Sequence, residues 1–345
     1  MLRFKATRLW SFATASLAAL TAASVSARAD EAEFYKGKTV KMIVGFGPGG
    51  GYDAYARMLA PHLTKRLGAT VVVENQPGAG SLVALNRLYA APPDGIQMML
   101  INGTAAALSQ IVGVSAVRYD LGKMTHIATV SVSPWLWLAP KNNGLQSIGE
   151  ARKVTKDILW GAGGPIDGMS DGAQVTCEAL SLKCKVVLGY KGSNEVALAV
   201  ARNEMDSVYV SDTSANNYVK AGDVRPLANM SRKRSRFFPD LPTVFETEKL
   251  SPEAEWLLDF HSSVQDLGRI IVLPPNMPAA RLAYLSEAVK QMLTDREVVE
   301  EGEKSQRYID YADSSVTTKN VDKVVNQLTP SQRERVRKIV EIEKK

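Results

Sequence analysis

The chemistry of this chain is concentrated in Gly45-Phe46-Gly47-Pro48-Gly49-Gly50-Gly51-Tyr52-Asp53. An apolar run, Val40 to Val44, precedes it and reads as a buried strand; a periodic segment, Asp53 to Leu67, follows and reads as a helix. Glycines between strand and helix remove the Cβ atoms that would hold a ligand away from the backbone. They also leave the N–H groups of the helix start free to face an anion, either a phosphate or a carboxylate. Two further turns share this character. Asn75-Gln76-Pro77-Gly78-Ala79-Gly80-Ser81 follows a strand over Thr70–Glu74, and Asn102-Gly103-Thr104 ends a strand over Gln97–Asn102. Three small, donor-rich turns on one edge of a sheet predict a single composite pocket beyond the carboxyl ends of the strands.

The elements that must position these turns alternate. Helices are expected over Asp53–Leu67 (with Pro61 removing one backbone donor), Ser81–Ala91 and Thr104–Val112, between the strands above. Such βαβ alternation predicts an α/β protein whose parallel sheet is covered on both faces. A second unit repeats the theme. A strand over Ile158–Trp160 enters Gly161-Ala162-Gly163-Gly164-Pro165-Ile166-Asp167-Gly168, and a helix follows over Ser170–Leu182. Next come a strand Lys185–Leu188, the turn Tyr190-Lys191-Gly192-Ser193, a helix Asn194–Arg202 and a strand Ser207–Val210. Two α/β domains would face one another with donor loops on both lips. The expected connecting strands are Ile127–Ala139 and Arg269–Leu273. A chain that crosses twice brings its mainly helical C-terminal part back to the first domain, with a helix from Pro278 to Leu293 and a charged surface helix from Thr329 onward.

The N-terminal residues read as an export signal. Arg3, Lys5 and Arg8 precede an alanine-rich apolar stretch, Leu9 to Val25, and Ala27-Arg28-Ala29 fits the small-x-small cleavage pattern, which makes Asp30 the first mature residue. Export places the mature protein outside the cytoplasm, where nucleotide cofactors are scarce. Of the formal net charge of +6, residues 1–29 contribute four positive charges and no acid, so the mature chain carries only +2. That balance gives no case for a nucleic-acid partner. About 315 residues remain, enough for two domains with cores of their own. Cys177 and Cys184 can form a disulfide in an oxidising compartment, tying the end of one helix to the start of the next strand. With three scattered histidines they make no metal cluster, and no cofactor is expected.

Other chemistry is weighed against its surroundings. Gly45-x-Gly47-x-x-Gly50 with Glu74 fits a dinucleotide fingerprint, but the export signal and Pro48 within the turn argue against an oxidoreductase. No Gly-Lys-Ser/Thr follows, so the turn is not a phosphate-binding loop of the Walker kind. Gly168-Met169-Ser170-Asp171-Gly172, with Asp259 and His261 downstream, matches a hydrolase elbow, the chief alternative function. An elbow serine directly follows its strand, however, whereas Ser170 comes well after Trp160 and reads as part of a helix start. Asp53 either contacts the ligand or caps its helix. Tyr52 and Tyr190 can donate hydroxyls. Trp135 and Trp137 alternate along a strand, so only one can face the cleft, and Trp135 there would favour an aromatic acid. His62, His126 and His261 read as structural.

Taken together, these motifs resemble the solute-binding receptors of tripartite tricarboxylate transporters. That family shows Phe-Ala-Pro-Gly-Gly-Gly-x-Asp, here Phe46 to Asp53; Val-Val-Val-Glu-Asn-x-Pro-Gly-Ala-Gly, here Val71 to Gly80; and Pro-Asp-Gly, here Pro93 to Gly95. It also shows Tyr-Lys-Gly-Ser, here Tyr190 to Ser193, then Arg-x-Leu-Ala and Pro-Asp-x-Pro-Thr, here Arg225 to Ala228 and Pro239 to Thr243. The resemblance runs from about Phe34 to Thr243. It implies a type II periplasmic-binding-protein (Venus-flytrap) fold with two lobes and two crossover strands. The implied boundaries are a signal peptide over 1–29, a first lobe over 30–130 and 266–345, and a second over 131–265. It implies a periplasmic receptor, not an enzyme, that closes on a small organic carboxylate (a di- or tricarboxylate or an aromatic acid) and hands it to a tripartite tricarboxylate-type membrane permease. Carried over position by position, first-lobe contacts are Phe46, Gly47, Pro48, Gly49, Gly50, Gly51, Tyr52 and Asp53, then Gly78, Ala79, Gly80 and Ser81, then Asn102 and Thr104. Second-lobe contacts are Gly163, Gly164 and Tyr190, with Asp212 near the aspartate that the family often places after the strand ending at Val210. The chain departs from the pattern at Tyr52, at Val210 and at Leu267-Gly268-Arg269, where the far end of the ligand is read.

Overall fold

The computed structural model describes residues 29–142, 145–164, 167–190, 192–222 and 224–340. The expected leader and its cleavage motif lie, except for Ala29, outside the described residues, as do Pro165, Ile166 and Lys191.

The first sheet contains β1 (Thr39–Val44), β2 (Thr70–Asn75), β3 (Gln97–Asn102), β4 (Thr125–Ser131) and, from far along the chain, β10 (Arg269–Leu273). Its order is β2-β1-β3-β10-β4. β1 pairs parallel with β2 and β3, while β10 runs antiparallel to both β3 and β4. Helices α1 (Gly51–Leu67), α2 (Leu82–Tyr89) and α3 (Gly103–Ile111) make the crossovers. Side chains on β1 alternate between two cores. Val40, Met42 and Val44 pack with Leu59 and Leu63 of α1, and Ile43 packs with Leu85 and Leu108 on the other face. A parallel strand buried on both faces reads as an unbroken apolar run, which is why this strand was visible in the sequence.

The second sheet is built from β5 (Trp135–Pro140), β6 (Ile158–Gly161), β7 (Cys184–Val187), β8 (Val208–Ser211) and β9 (Val224–Asn229). β6 and β7 pair parallel, a parallel Trp160–Ser207 bridge joins β6 to the start of β8, and β5 runs antiparallel between β8 and β9. The resulting order, β7-β6-β8-β5-β9, repeats that of the first sheet, with β5 in the place of β10. The strand expected over Ile127–Ala139 is therefore two strands. It breaks at residues 132–134, where Pro134 has no N–H to donate, and each half joins a different sheet. The longer helices of this lobe are α4 (Gly168–Leu180), α5 (Ser193–Ala201) and α6 (Asp212–Ala221). Each lobe thus receives its antiparallel strand at a crossover, and the fold is the two-lobed periplasmic-binding-protein fold.

Helix α7 (Pro252–Gln265) packs against α4 of one lobe and α3 of the other on the way back to β10. Then follow α8 (Ala279–Leu293), α9 (Arg296–Lys304), α10 (Ser314–Val325) and α11 (Pro330–Val340). The last of these buries Ile339 in the second-lobe core against α4. Cys177 and Cys184 are joined in a disulfide that ties the last turn of α4 to the first residue of β7.

Candidate ligand-binding site

Between the sheet edges lies a cleft of about 660 Å³, walled by both lobes. Its first-lobe wall begins at the N-terminus of α1. Gly49, Gly50, Gly51 and Tyr52 face the cleft, with the ring of Phe46 stacked on Tyr52 at 4.9 Å. The cap residue, Gly50, has no side chain to satisfy the helix start. Among the described residues nothing accepts from the N–H groups of Gly51 and Tyr52, so the positive end of a 17-residue helix opens on the cleft.

Asp53 does not compete for those donors. It is 3 % exposed, and its carboxylate accepts from the Gly49 N–H at 2.9 Å, Arg57 Nε at 3.0 Å and Asn75 Nδ2 at 2.9 Å. The Arg57 hydrogen bond, followed by the Gly49 one, holds its carboxyl down at about 2. Asn75 also donates to the Phe46 carbonyl, so the ends of β1 and β2 are braced by one polar knot. The second turn closes directly on the first: a Cβ on Gly45 would overlap the Ser81 hydroxyl, so glycine is required there. Of that turn only Gly80 reaches the cleft; Ser81 is buried beneath it, Gly78 lies against Val83, and Ala79 is not on the cleft wall. Gly47 and Pro48 sit on the exposed outer side of the first turn. Asn102 and Thr104 do line the cleft, although Asn102 caps α3 through the Ala105 N–H and Thr104 donates to the Val264 carbonyl.

The second lobe treats its glycine turn as the first does. Gly163 and Gly164 donate to Oδ2 of Asp167 at 2.8 and 2.9 Å, and Met169 and Ser170 donate to Oδ1, both at 2.9 Å. The donors expected to meet a ligand here are therefore taken by an internal carboxylate, and neither glycine lies on the cleft wall. Ser170 is fully buried and its hydroxyl completes the capping box of α4, so this serine is not presented as a nucleophile. Tyr190 packs beside Gly161, away from the cleft. Asp212 is turned toward the crossover: its N–H donates to the Pro134 carbonyl and Oδ2 accepts from Ser235, while burial pushes its carboxyl up. The residues around it, Ser211, Thr213, Ser214 and Asn217, face the ligand space instead. Trp135 stands on the wall, stacked on Tyr209 at 5.3 Å, whereas Trp137 is in the core and donates to Ser207.

The sequence marked Leu267-Gly268-Arg269 only as a departure from the family pattern; the structure shows Arg269 to be a cation on the cleft wall. Arg269 opens β10, paired to Asn102 on one side and Ser131 on the other. Because β10 is antiparallel, its first residue lies at the carboxyl edge of its neighbours. Arg269 Nη1 donates to Ser131 Oγ at 3.2 Å, and Nη2 lies 3.7 Å from where a Cβ on Gly51 would stand. The guanidinium carbon sits 4.4 Å from the Tyr55 ring centroid and 5.0 Å from that of Tyr52. Burial pushes both phenols up, and the nearby guanidinium opposes this. Nε is buried with no hydrogen-bond partner, and among the described residues no carboxylate lies within ion-pair distance of Arg269. Arg307 and Gln265 also line the cleft, and Gln265 Oε1 is buried without a partner. Besides that departure, the local pattern offered one cation at the head of an apolar strand, Arg-Ile-Ile-Val-Leu.

The profile of the family described as "Tripartite tricarboxylate transporter family receptor" matches residues 55–328. Among curated sequences, a protein of the UPF0065 group from Bordetella pertussis is 28 % identical over 291 residues, covering 83 % of this chain and 84 % of that one. Among solved structures, MatC from Rhodopseudomonas palustris with bound malate is 21 % identical, with a TM-score of 0.64 over 88 % of this chain and 99 % of that one. The R. palustris protein Rpa4515 with adipate is 19 % identical, with a TM-score of 0.67 over 88 % of this chain and 97 % of that one. At these identities the structural likeness establishes the fold.

Proposed function

Because this chain belongs to the tripartite tricarboxylate transporter receptor family, we propose that it is a periplasmic receptor that captures a small organic carboxylate between its lobes and delivers it to a membrane permease of that transporter type. One observation carries this reading. The N-terminus of α1 opens its free N–H groups on the cleft, while the aspartates of the two glycine turns, Asp53 and Asp167, are already satisfied within those turns and do not compete for them. An anion is what such a site lacks. The malate and adipate bound by MatC and Rpa4515 support a carboxylate over a phosphate. Binding breaks no bond. Contacts from both walls favour the closed form, and closure is what a permease can recognise. Within this reading the lobes span 30–130 with 266–345, and 131–265.

The test is thermal unfolding of the mature chain, stripped by refolding, against malate, adipate, citrate, benzoate and nicotinate, with a nicotinamide dinucleotide as control. An acid at about a hundred times its dissociation constant stabilises the native state by roughly 2.7 kcal/mol, a shift of several degrees. A shift with an acid class and none with the dinucleotide is expected. No shift with any acid overturns the reading.

A further inference from the structure

We infer that Arg269 holds the ligand carboxylate directly, so that recognition rests on an ion pair made by the second crossover rather than on backbone dipoles alone. The inference rests on the receptor reading above and names the residue that gives it charge selectivity. Three independent features converge on this side chain. Its position is fixed, since Ser131 holds Nη1 and the Tyr52 and Tyr55 rings flank the guanidinium. Its charge has no counter-ion in contact: Nε has no partner, and among the described residues no carboxylate is within ion-pair distance of the guanidinium, Asp53 pairing with Arg57 and Asp310 with Arg236. Its direction is right, because Nη2 stands over Gly51, beside the free N–H groups of the helix start.

A partly buried cation without a counter-ion is costly, and a carboxylate entering the cleft supplies the missing charge together with acceptors for both the guanidinium and the helix. A guanidinium presents a planar fork that suits a carboxylate, which a lysine ammonium does not reproduce. The side chain therefore favours the acid strongly over its amide. Since Arg269 directly follows the crossover at residues 266–268, it also places the charge of the ligand at the joint about which the lobes meet.

The experiment uses the acid that gives the largest thermal shift in the panel above, together with its primary amide, titrated calorimetrically into wild-type, Arg269→Gln and Arg269→Lys proteins. Arg269→Gln is expected to weaken the acid by 30-fold or more and to leave the amide unchanged, so that the acid-to-amide ratio collapses. Arg269→Lys should fall between the two. Without ligand, Arg269→Gln should melt no lower than wild type, because it removes an uncompensated charge. An acid-to-amide ratio in Arg269→Gln equal to that of wild type overturns the inference and leaves the receptor reading standing. An equal loss for acid and amide, accompanied by a lower melting temperature, assigns Arg269 a packing role and overturns it too. If Arg269→Gln does not fold, the Arg269→Lys ratio decides: a value equal to wild type rejects the assignment. Failure of every acid to bind wild-type protein sinks the receptor reading itself.

Discussion

At the scale of single residues, the open question in the sequence was what Asp53 does. It braces the turn. The Gly49 N–H, Arg57 and Asn75 consume both of its oxygens, and in doing so it shapes a loop whose remaining N–H groups face outward. Its folded-state value of about 2 lies below the ordinary 3.8, so the unfolded chain binds the proton more readily. The stability it contributes is therefore present above the ordinary value and is lost as pH falls toward 2. Asp53→Asn should cost about 1–2 kcal/mol near neutrality. Chemical denaturation of the two proteins across pH checks this: the gap between them should shrink from pH 5 downward and close near pH 2. A gap independent of pH would mean that the loss comes from geometry and not charge. Asp167 braces the glycine turn of the second lobe with hydrogen bonds from its backbone N–H groups, and this could not be read from the sequence. A glycine-rich turn advertises donors; only the folded structure reveals that a side chain four residues on has claimed them.

At the scale of elements, legibility followed the distance along the chain over which the information is held. The three turns at Gly45–Asp53, Asn75–Ser81 and Asn102–Thr104 were legible because each lies between a strand and the helix that follows it, and parallel pairing must bring them to one edge. The cleft-lining residues Ser131 and Arg307 were not, and Arg269 was marked only as a departure from the family pattern. Arg269 reaches the same edge through β10, which enters between β3 and β4 from more than 130 residues away. Nothing in the local pattern of an apolar strand says which neighbours it will have. The disulfide is a local feature and was legible. It closes the short link between α4 and β7, with a sequence separation of 7. The tight turn there already carries a Leu182 N–H to Cys177 carbonyl bond and a left-handed Ser181, so part of the constraint survives reduction. Replacing both cysteines with serine should lower stability by about 2 kcal/mol or less, a few degrees in melting temperature. The carboxylate affinity should be unchanged, because neither cysteine lines the cleft. A large loss of affinity would show that α4 needs the tether to hold its N-terminal turn.

At the scale of the whole molecule, the two sheets repeat one topology and exchange one strand each, so the lobes are joined where β4 leads to β5 and where α7 leads to β10. These crossovers lie side by side. Gly268 carries its left-handed φ of +53 against the Ser131 carbonyl, and its own carbonyl accepts from the Gly103 N–H at 2.9 Å. Behind them, Arg236 of the second lobe meets Asp310 at 2.5 Å, and the Asp310 N–H donates to the Val130 carbonyl of the first sheet. Adjacent residues of one crossover thus have opposite duties: Gly268 lets the strands approach, and Arg269 uses the approach to aim a charge. Gly268→Ala puts a Cβ into the Ser131 carbonyl and holds a non-glycine residue in the left-handed region, at a cost of about 2–4 kcal/mol. Its melting temperature should fall by several degrees without ligand, and carboxylate affinity should fall with it as Arg269 is displaced. Arg269→Gln should lose affinity alone. Calorimetry and thermal unfolding on the two variants separate these outcomes. If Gly268→Ala melts as wild type does, the crossovers can part without cost, and the close strand approach is not what positions Arg269 over the helix start.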